Sequence, residues 1–418
     1  MKPPHERRVV ITGLGVVSAI GVGADALWQG VLEGRRGVRR ITRFDPAPFS
    51  SQVAAEVDAG AFDPRDYIDA KRARRLDRFS QFGLAASRMA VDDARLDLER
   101  EDRGRVGVFL GSALGGVAYA EEQHGDFVAH GLRAVSPMLA LAVFGGAGGA
   151  NIAMDLGARG PSIANANSCA SGTIAVGEAF RAIARGDADV VIAGAAEAPL
   201  SPLVFGAFAI IRALSTRNDD PAAASRPFDR DRDGFVMAEG AGVLVLEERG
   251  HAVRRDAPIY GEVLGFGATS DAYHMTAPRP GGGEAARAAA LALDDAGLLP
   301  TDIDYIAAHA SATALGDTAE VEAITRVFGE HVGRIPVSAT KGMHGHALGA
   351  SGAIELAITA LALRHEVLPA TVNLCHPDPE CGLAYVRDRP LAYRATHVLK
   401  TSFGFGGINA ALVLGRDA

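Results

Sequence analysis

Cysteine is scarce, with 3 residues in a chain of 418. That excludes a disulfide scaffold and suits a reducing compartment. An excess of positive charge is also lacking. Lys and Arg total 42 against 50 Asp and Glu, a net charge of −8. This argues against a dedicated nucleic-acid binder but leaves room for a local basic patch. No run of 18 apolar residues free of turn formers occurs, so no membrane span is expected. The start, Met1-Lys2-Pro3-Pro4-His5-Glu6-Arg7-Arg8, precedes an apolar run broken by glycines. It does not read as a secretion signal, and a cytoplasmic protein is expected. A complete dinucleotide fingerprint is missing too. Gly13-Leu14-Gly15-Val16-Val17-Ser18 lacks the last glycine and reads as a tight turn after a strand over residues 9–12. Metal-ligand sets are incomplete: His344 and His346 have no nearby Cys or carboxylate. Cys375, His376 and Cys381 share a Pro-rich loop and read as structural, so no metal site is assigned.

What is present is ordinary globular composition, 48% hydrophobic and 22% charged. Short β-branched runs at residues 106–110, 190–193, 260–266, 305–308 and 335–338 read as buried strands. Ala-rich segments such as 171–185 and 283–296 read as helices between them. The alternation predicts α/β layers. An internal echo runs through the chain: residues 161–169 and 335–341 are extended runs, each leading into a small-residue helix. This would place Cys169 and His346 at comparable strand-to-helix junctions. A charged stretch at 249–257 is the candidate boundary, giving halves of 1–257 and 258–418.

Cys169 ends a strand-like segment and opens a helix with Ala170-Ser171-Gly172-Thr173. Unpaired N–H groups and the positive helix end there would favour the reactive thiolate. The competing reading is a buried structural cysteine. His309 leaves the strand at 305–308 and is followed by Ala310, Ser311, Ala312 and Thr313. A histidine at a strand exit is placed for chemistry, or is a satisfied core imidazole. His346 follows Gly345 just before a helix.

These residues resemble those of a β-ketoacyl-acyl-carrier-protein synthase of the elongating type II class, on the thiolase fold. The resemblance runs from about Arg8 to Gly415. Its markers include Gly160-Pro161-Ser162, Ser168-Cys169-Ala170-Ser171-Gly172, Leu214-Ser215-Thr216-Arg217-Asn218, Arg226-Pro227-Phe228-Asp229, Lys341 to His346, and Ser402-Phe403-Gly404-Phe405-Gly406-Gly407. It implies two similar α/β halves in five layers, α-β-α-β-α. It implies an acyltransferase that performs a decarboxylating Claisen condensation. Cys169 would carry the acyl group as a thioester, and His309 and His346 would stabilise the enolate formed from malonyl carrier protein. The backbone N–H groups of Cys169 and Phe405 would form an oxyanion hole, with Phe405 as a gate. Lys341, Glu320 and Glu355 would form a buried supporting trio, with a surface position as the alternative for Lys341. Leu114 and Phe208 would line the acyl pocket or be plain core. Thr276, Ser311 and Thr313 would contact pantetheine, which arrives on the carrier, so no cofactor is expected. Lys71, Arg74 and Arg75, within the run Lys71-Arg72-Ala73-Arg74-Arg75, would dock an acidic acyl carrier protein, or simply form a solvated face. A homodimer paired through the strand at 160–167 is implied.

The chain also departs from the usual pattern. His309-Ala310-Ser311-Ala312-Thr313 stands for His-Gly-Thr-x-Thr, His344 and Ile408 each replace a common hydroxyl residue, and Ser168 stands where Ala is usual. These changes surround the tunnel and bear on substrate choice. The alternatives are a type II polyketide or polyene ketosynthase paired with a chain-length factor, a non-catalytic carrier-binding homologue, and a thiolase-like degradative enzyme.

Overall fold

A computed structural model describes residues 7–417 of the chain. The charged start at 1–6 lies outside the described residues. Ten strands build the central sheet. The first five are β1 (Val9–Ser18), β2 (Val106–Gly111), β3 (Ser162–Asn165), β4 (Val190–Glu197) and β5 (Gly240–Glu248). The second five are β6 (Gly261–Ser270), β7 (Tyr305–Ala307), β8 (Pro336–Ser338), β9 (His397–Gly404) and β10 (Ile408–Gly415). The spatial order is β3-β2-β4-β5-β1 in the first set and β8-β7-β9-β10-β6 in the second. Counted from its own first strand, each set runs 3-2-4-5-1. The pairing directions repeat as well: the first three strands of each spatial order are parallel, and the last two pair antiparallel. The sets join where Val9, Val10 and Ile11 of β1 pair with Val263, Glu262 and Gly261 of β6. Gly21–Val22 and Ala384–Tyr385 extend the sheet.

Five helices define the layers. The helix α1 (Arg78–Asp93) covers the outer face of the first set; Asp77 caps it by accepting from Phe79 N and Ser80 N. The helix α2 (Ser171–Ala184) packs against β2, β4 and β5 and also against β6 and β10. The helices α3 (Gly283–Ala296) and α4 (Ala314–Phe328) form the outer layer of the second set. The helix α5 (Ser351–His365) lies beside α2 in the middle and touches strands of both sets. Ser351 through Leu363 are all buried, as expected for a helix that is apolar on every side. The result is an α-β-α-β-α arrangement.

The reading of Gly13-Leu14-Gly15 as a turn is corrected. β1 runs unbroken, and fully buried, from Val9 to Ser18. The glycines are there because α1 lies directly on the strand. A Cβ at Gly13 would sit 2.1 Å from Ala90 O, and one at Gly15 would sit 1.8 Å from Ala86 O. The stretch at 249–257 begins as a short helix, Arg249–Arg254, between β5 and β6.

The internal echo is sharper in structure than in sequence. Ser168–Ala170 forms a single 3-10 turn before α2, and Leu348–Ala350 forms one before α5. Ser168 and Leu348 both have left-handed backbone, φ 50° and 44°. Each turn leads into Ala-Ser-Gly, at 170–172 and 350–352. The position equivalent to Cys169 is therefore Gly349, and His346 lies three residues before it. The two helix starts abut. A Cβ on Gly172 would meet Ala353 N at 2.8 Å, and one on Gly352 would meet Thr173 Oγ1 at 2.3 Å.

Candidate active site

Cys169 sits at the carboxyl end of β3, in the turn that starts α2. His309 leaves the carboxyl end of β7. His346 follows the one-turn helix Lys341–His344, and its backbone is pinned by His346 N to Val236 O and Ala238 N to His346 O. All three side chains line one cavity of about 440 Å³, a size suited to a small-molecule group. Leu114, Phe208, Thr276, Ser311, Thr313, Glu320 and Phe405 line the same cavity. Lys341 and Glu355 lie behind it, fully buried. Lys71, Arg74 and Arg75 are exposed elsewhere, at the helix Ala70–Ala73. Arg72, from the same run, is taken up by Asp155 and by Asn151 O.

The rings of His309 and His346 meet edge-on, with centroids 5.3 Å apart. His346 Nδ1 contacts Ser351 Oγ at 2.8 Å. His309 Nδ1 lies 3.4 Å from Lys341 Nζ, which also donates to His309 O. An ammonium can only donate, so Lys341 makes Nδ1 of His309 the acceptor and places the ring proton on Nε2. Among the described residues no hydrogen bond is made by Nε2 of either ring, and both residues face the cavity. Burial is the main cause that holds both imidazoles well below their ordinary 6.5, followed by the charge of Lys341. Two neutral imidazoles therefore face one space.

The buried supporting trio divides its work. Lys341 pairs with Glu355 Oε1 at 2.5 Å. Glu320 makes no bond to Lys341. Its carboxylate accepts from His309 N at 2.8 Å, Ala310 N at 2.7 Å and Thr401 Oγ1 at 2.7 Å. Those bonds hold a strained segment, since Ala310 and Ala312 have φ of 35° and 68°. Both left-handed positions carry alanine, Ala310 where the usual pattern has glycine, and the buried carboxylates of Glu320 and Asp317 fix the loop by accepting its N–H groups.

The expectation of a resting thiolate is corrected. The N–H groups of Phe405 and Cys169 reach the sulfur and Lys341 attracts its charge, but burial outweighs them and pushes the Cys169 thiol up to about 12. Burial therefore favours the neutral thiol over the thiolate.

Phe405 sits in the tight connection between β9 and β10, where Gly406 and Gly407 have φ of 86° and 70°. Its ring stacks on Phe208 at 6.2 Å, and Phe208 meets Phe235, which meets His346. A Cβ on Gly404 would come within 3.1 Å of Cys169 N, so the loop backbone lies directly over Cys169.

Several site residues were not singled out from sequence. Ser351 contacts His346, and Thr401 braces Glu320 and His309 N. Buried Glu197 accepts from Ser112 Oγ and from the N–H groups of Ala113, Leu114 and Gly349, and so ties the pocket wall to the His346 turn. Lys400 is fully buried beside Glu355; a lysine amid the apolar residues of β9 is the signal that marks it. Cys375 is exposed, and Cys381 is buried in the core beside α4.

Comparison with known proteins agrees with this geometry. The model of the Beta-ketoacyl synthase N-terminal domain matches residues 6–252, and that of the C-terminal domain matches residues 260–375. The chain is 44% identical over 409 residues to 3-oxoacyl-[acyl-carrier-protein] synthase 2 of Staphylococcus aureus strain COL, covering 98% of both chains. It is 44% identical over 408 residues to the enzyme of that name from Synechocystis, again covering 98% of both. Among solved structures, a type II polyketide ketosynthase in complex with its acyl-carrier protein superposes with a TM-score of 0.92 at 35% identity over 100% of each chain. The ishigamide ketosynthase/chain length factor does so with a TM-score of 0.92 at 36% identity, covering 99% of this chain and 100% of that one. With both domain models matched in order and near-full-length relatives at this identity, the chain belongs to the beta-ketoacyl synthase family.

Proposed function

We propose that this protein is a 3-oxoacyl-[acyl-carrier-protein] synthase that lengthens an acyl chain by a decarboxylating Claisen condensation. The observation that carries the reading is a single cavity lined by one thiol and two neutral imidazoles whose Nε2 atoms are left free. The sulfur of Cys169 attacks the acyl thioester, its proton passes to the departing pantetheine sulfur, and an acyl-cysteine forms. A neutral resting thiol fits this coupled transfer better than a free thiolate does. Malonyl thioester then loses carbon dioxide as the carbon–carbon bond breaks, and the electron pair moves onto the thioester as an enolate. His309 and His346 donate Nε2–H to the enolate oxygen. The enolate carbon attacks the acyl-cysteine, whose oxyanion faces the N–H groups of Cys169 and Phe405, and the sulfur leaves. The thiolate so released takes up one proton from water, which restores the resting thiol, and the cycle needs no cofactor. Thr276, Ser311 and Thr313 line the path of the pantetheine arm, Leu114 and Phe208 line the acyl side, and Phe405 stands between.

The partner is an acyl carrier protein, which brings its own 4′-phosphopantetheine. Lys71, Arg74 and Arg75 are exposed and form no ion pair with a described residue. They are therefore free to meet an acidic carrier. The relative that was solved with its carrier protein supports this partner class. Residues 1–257 and 258–418 are read as duplicated halves. No helix among the described residues is long and apolar enough to cross a membrane, and a cytoplasmic site of action is proposed.

Cys169→Ala is expected to abolish elongation while leaving part of the carbon dioxide release from malonyl carrier protein, read by intact mass of the carrier-bound products. Elongation retained in that variant would remove the nucleophile assignment. His309→Ala and His346→Ala are each expected to slow carbon dioxide release by about 100-fold. Two of the structural relatives are named as polyketide ketosynthases or ketosynthase/chain length factor pairs. This supports a second reading, a polyketide subunit working beside a nucleophile-free partner. Purification as a homodimer active on fatty acyl primers separates the two.

A further inference from the structure

Strand β9 places two consecutive side chains on opposite sides of the sheet, as strand geometry requires. Thr401 faces the outer helix α4, where it donates to Glu320. Lys400 faces the central helix α5, where its Nζ lies 2.9 Å from Glu355 Oε2 and also donates to Thr401 O. The other oxygen of the same carboxylate, Glu355 Oε1, pairs with Lys341 at 2.5 Å. One buried carboxylate thus lies between two buried lysines; burial works against the charge of Lys400, and its pairing with Glu355 opposes that loss. Lys341 and Lys400 are both 0% exposed, and Glu355 is 3% exposed. Burying a cation costs free energy unless it is paired, and this second cation is not needed to balance Glu355. It therefore calls for a role of its own.

The titratable and charged groups around His309 come from every neighbouring element. They are Lys341 and His344 from the one-turn helix, His346 from the turn after it, and Cys169 from the start of α2. Glu355 on α5, Glu320 on α4 and Lys400 on β9 complete the set. Glu320 is engaged by backbone N–H groups and Thr401. Glu355 is shared between the two lysines. Without Lys400, Glu355 Oε2 would be free to turn and draw Lys341 away from His309 Nδ1, and the carboxylate would favour a protonated imidazole.

We propose that Lys400 is a positioning residue: as the second cation on Glu355, it holds this carboxylate on Lys341 and supplies the fixed positive charge that keeps His309 a neutral donor protonated on Nε2. This rests on the condensing role proposed above, but its test does not depend on that reading. Histidine rings report their protonation and tautomer directly in ¹H–¹⁵N spectra of selectively labelled protein. In the wild type, His309 stays neutral and Nε2-protonated to below pH 6; a His309 ring that gains its second proton above about pH 6 overturns the proposal, whatever the variants do. In Lys400→Met, His309 gains that proton at least about one pH unit higher than in the wild type. The acid limb of carbon dioxide release from malonyl carrier protein moves up with it. Lys400→Arg, which keeps the charge, restores both toward wild type. A folded Lys400→Met with an unchanged His309 titration shows Lys400 to be packing only and overturns the proposal. Wild-type protein that releases no carbon dioxide overturns the condensing reading and leaves the histidine titration as the test of Lys400.

Discussion

In the proposed reaction, His309 and His346 set the pH behaviour. Their folded-state values are lowered, chiefly by burial. Lowering favours the neutral ring, so donation of Nε2–H persists as pH falls through 6.5, where a free imidazole would already be half charged. Carbon dioxide release is therefore expected to stay level from about pH 7.5 down to about pH 6. A limb near the ordinary imidazole value would show that the rings are less shielded than the structure has them. The family resemblance picked these residues out in sequence, helped by a cysteine at a helix start and one histidine, His309, at a strand exit among small neighbours. Their electrostatic state was not legible there. The helix start suggested a thiolate at Cys169, yet burial pushes the thiol up to about 12. Depth is a property of the whole packed site, and no local pattern reports it. Lys400 escaped for the same reason: only the packed structure brings β9 against α5 and Glu355.

At the scale of the element, the helices were easier to read than the glycines. The helix Gly283–Ala296 has the bounds that its Ala-rich pattern gave. β1 does not stop at residue 12, because Gly13 and Gly15 answer to a helix that lies on the strand rather than to a turn. A distant contact overrode a local signal. The consequence is testable with Gly15→Val. A side chain there would run into the backbone of α1, since even a Cβ would lie 1.8 Å from Ala86 O. The variant is expected to lose about 3 kcal/mol or more of stability, read by denaturant unfolding. A loss within experimental error would mean that α1 does not rest on β1 as described.

For the whole molecule, the unfinished feature is an edge. β3 ends the sheet, and Ser162, Ile163 and Ala164 are exposed there. Ile163 is 47% exposed, and Phe144 and Met154 are exposed on segments adjoining the same strand. An unpaired apolar edge invites a second strand, and a second copy of β3 would close it in the proposed homodimer. Ala164→Pro removes a donor that faces the open edge, since residues 161, 163 and 165 bond inward to β2, and is expected to shift the protein to monomer in sedimentation, with loss of elongation. A dimer that survives this change would place the interface elsewhere. The duplication was only faintly legible, because the halves share little sequence. Their common 3-2-4-5-1 strand order emerges only when pairing is seen.

The butted starts of α2 and α5, with Gly172 against Ala353 and Gly352 against Thr173, carry a last consequence. The sulfur of Cys169 comes from one repeat and both rings from the other, and the seam between the repeats is too tight for even one methyl group. Neither repeat holds a usable centre alone. Sequence drift can remodel the walls of the chamber freely, but the two small residues at the seam are fixed by the need to keep donor and acceptor chemistry within reach of one another.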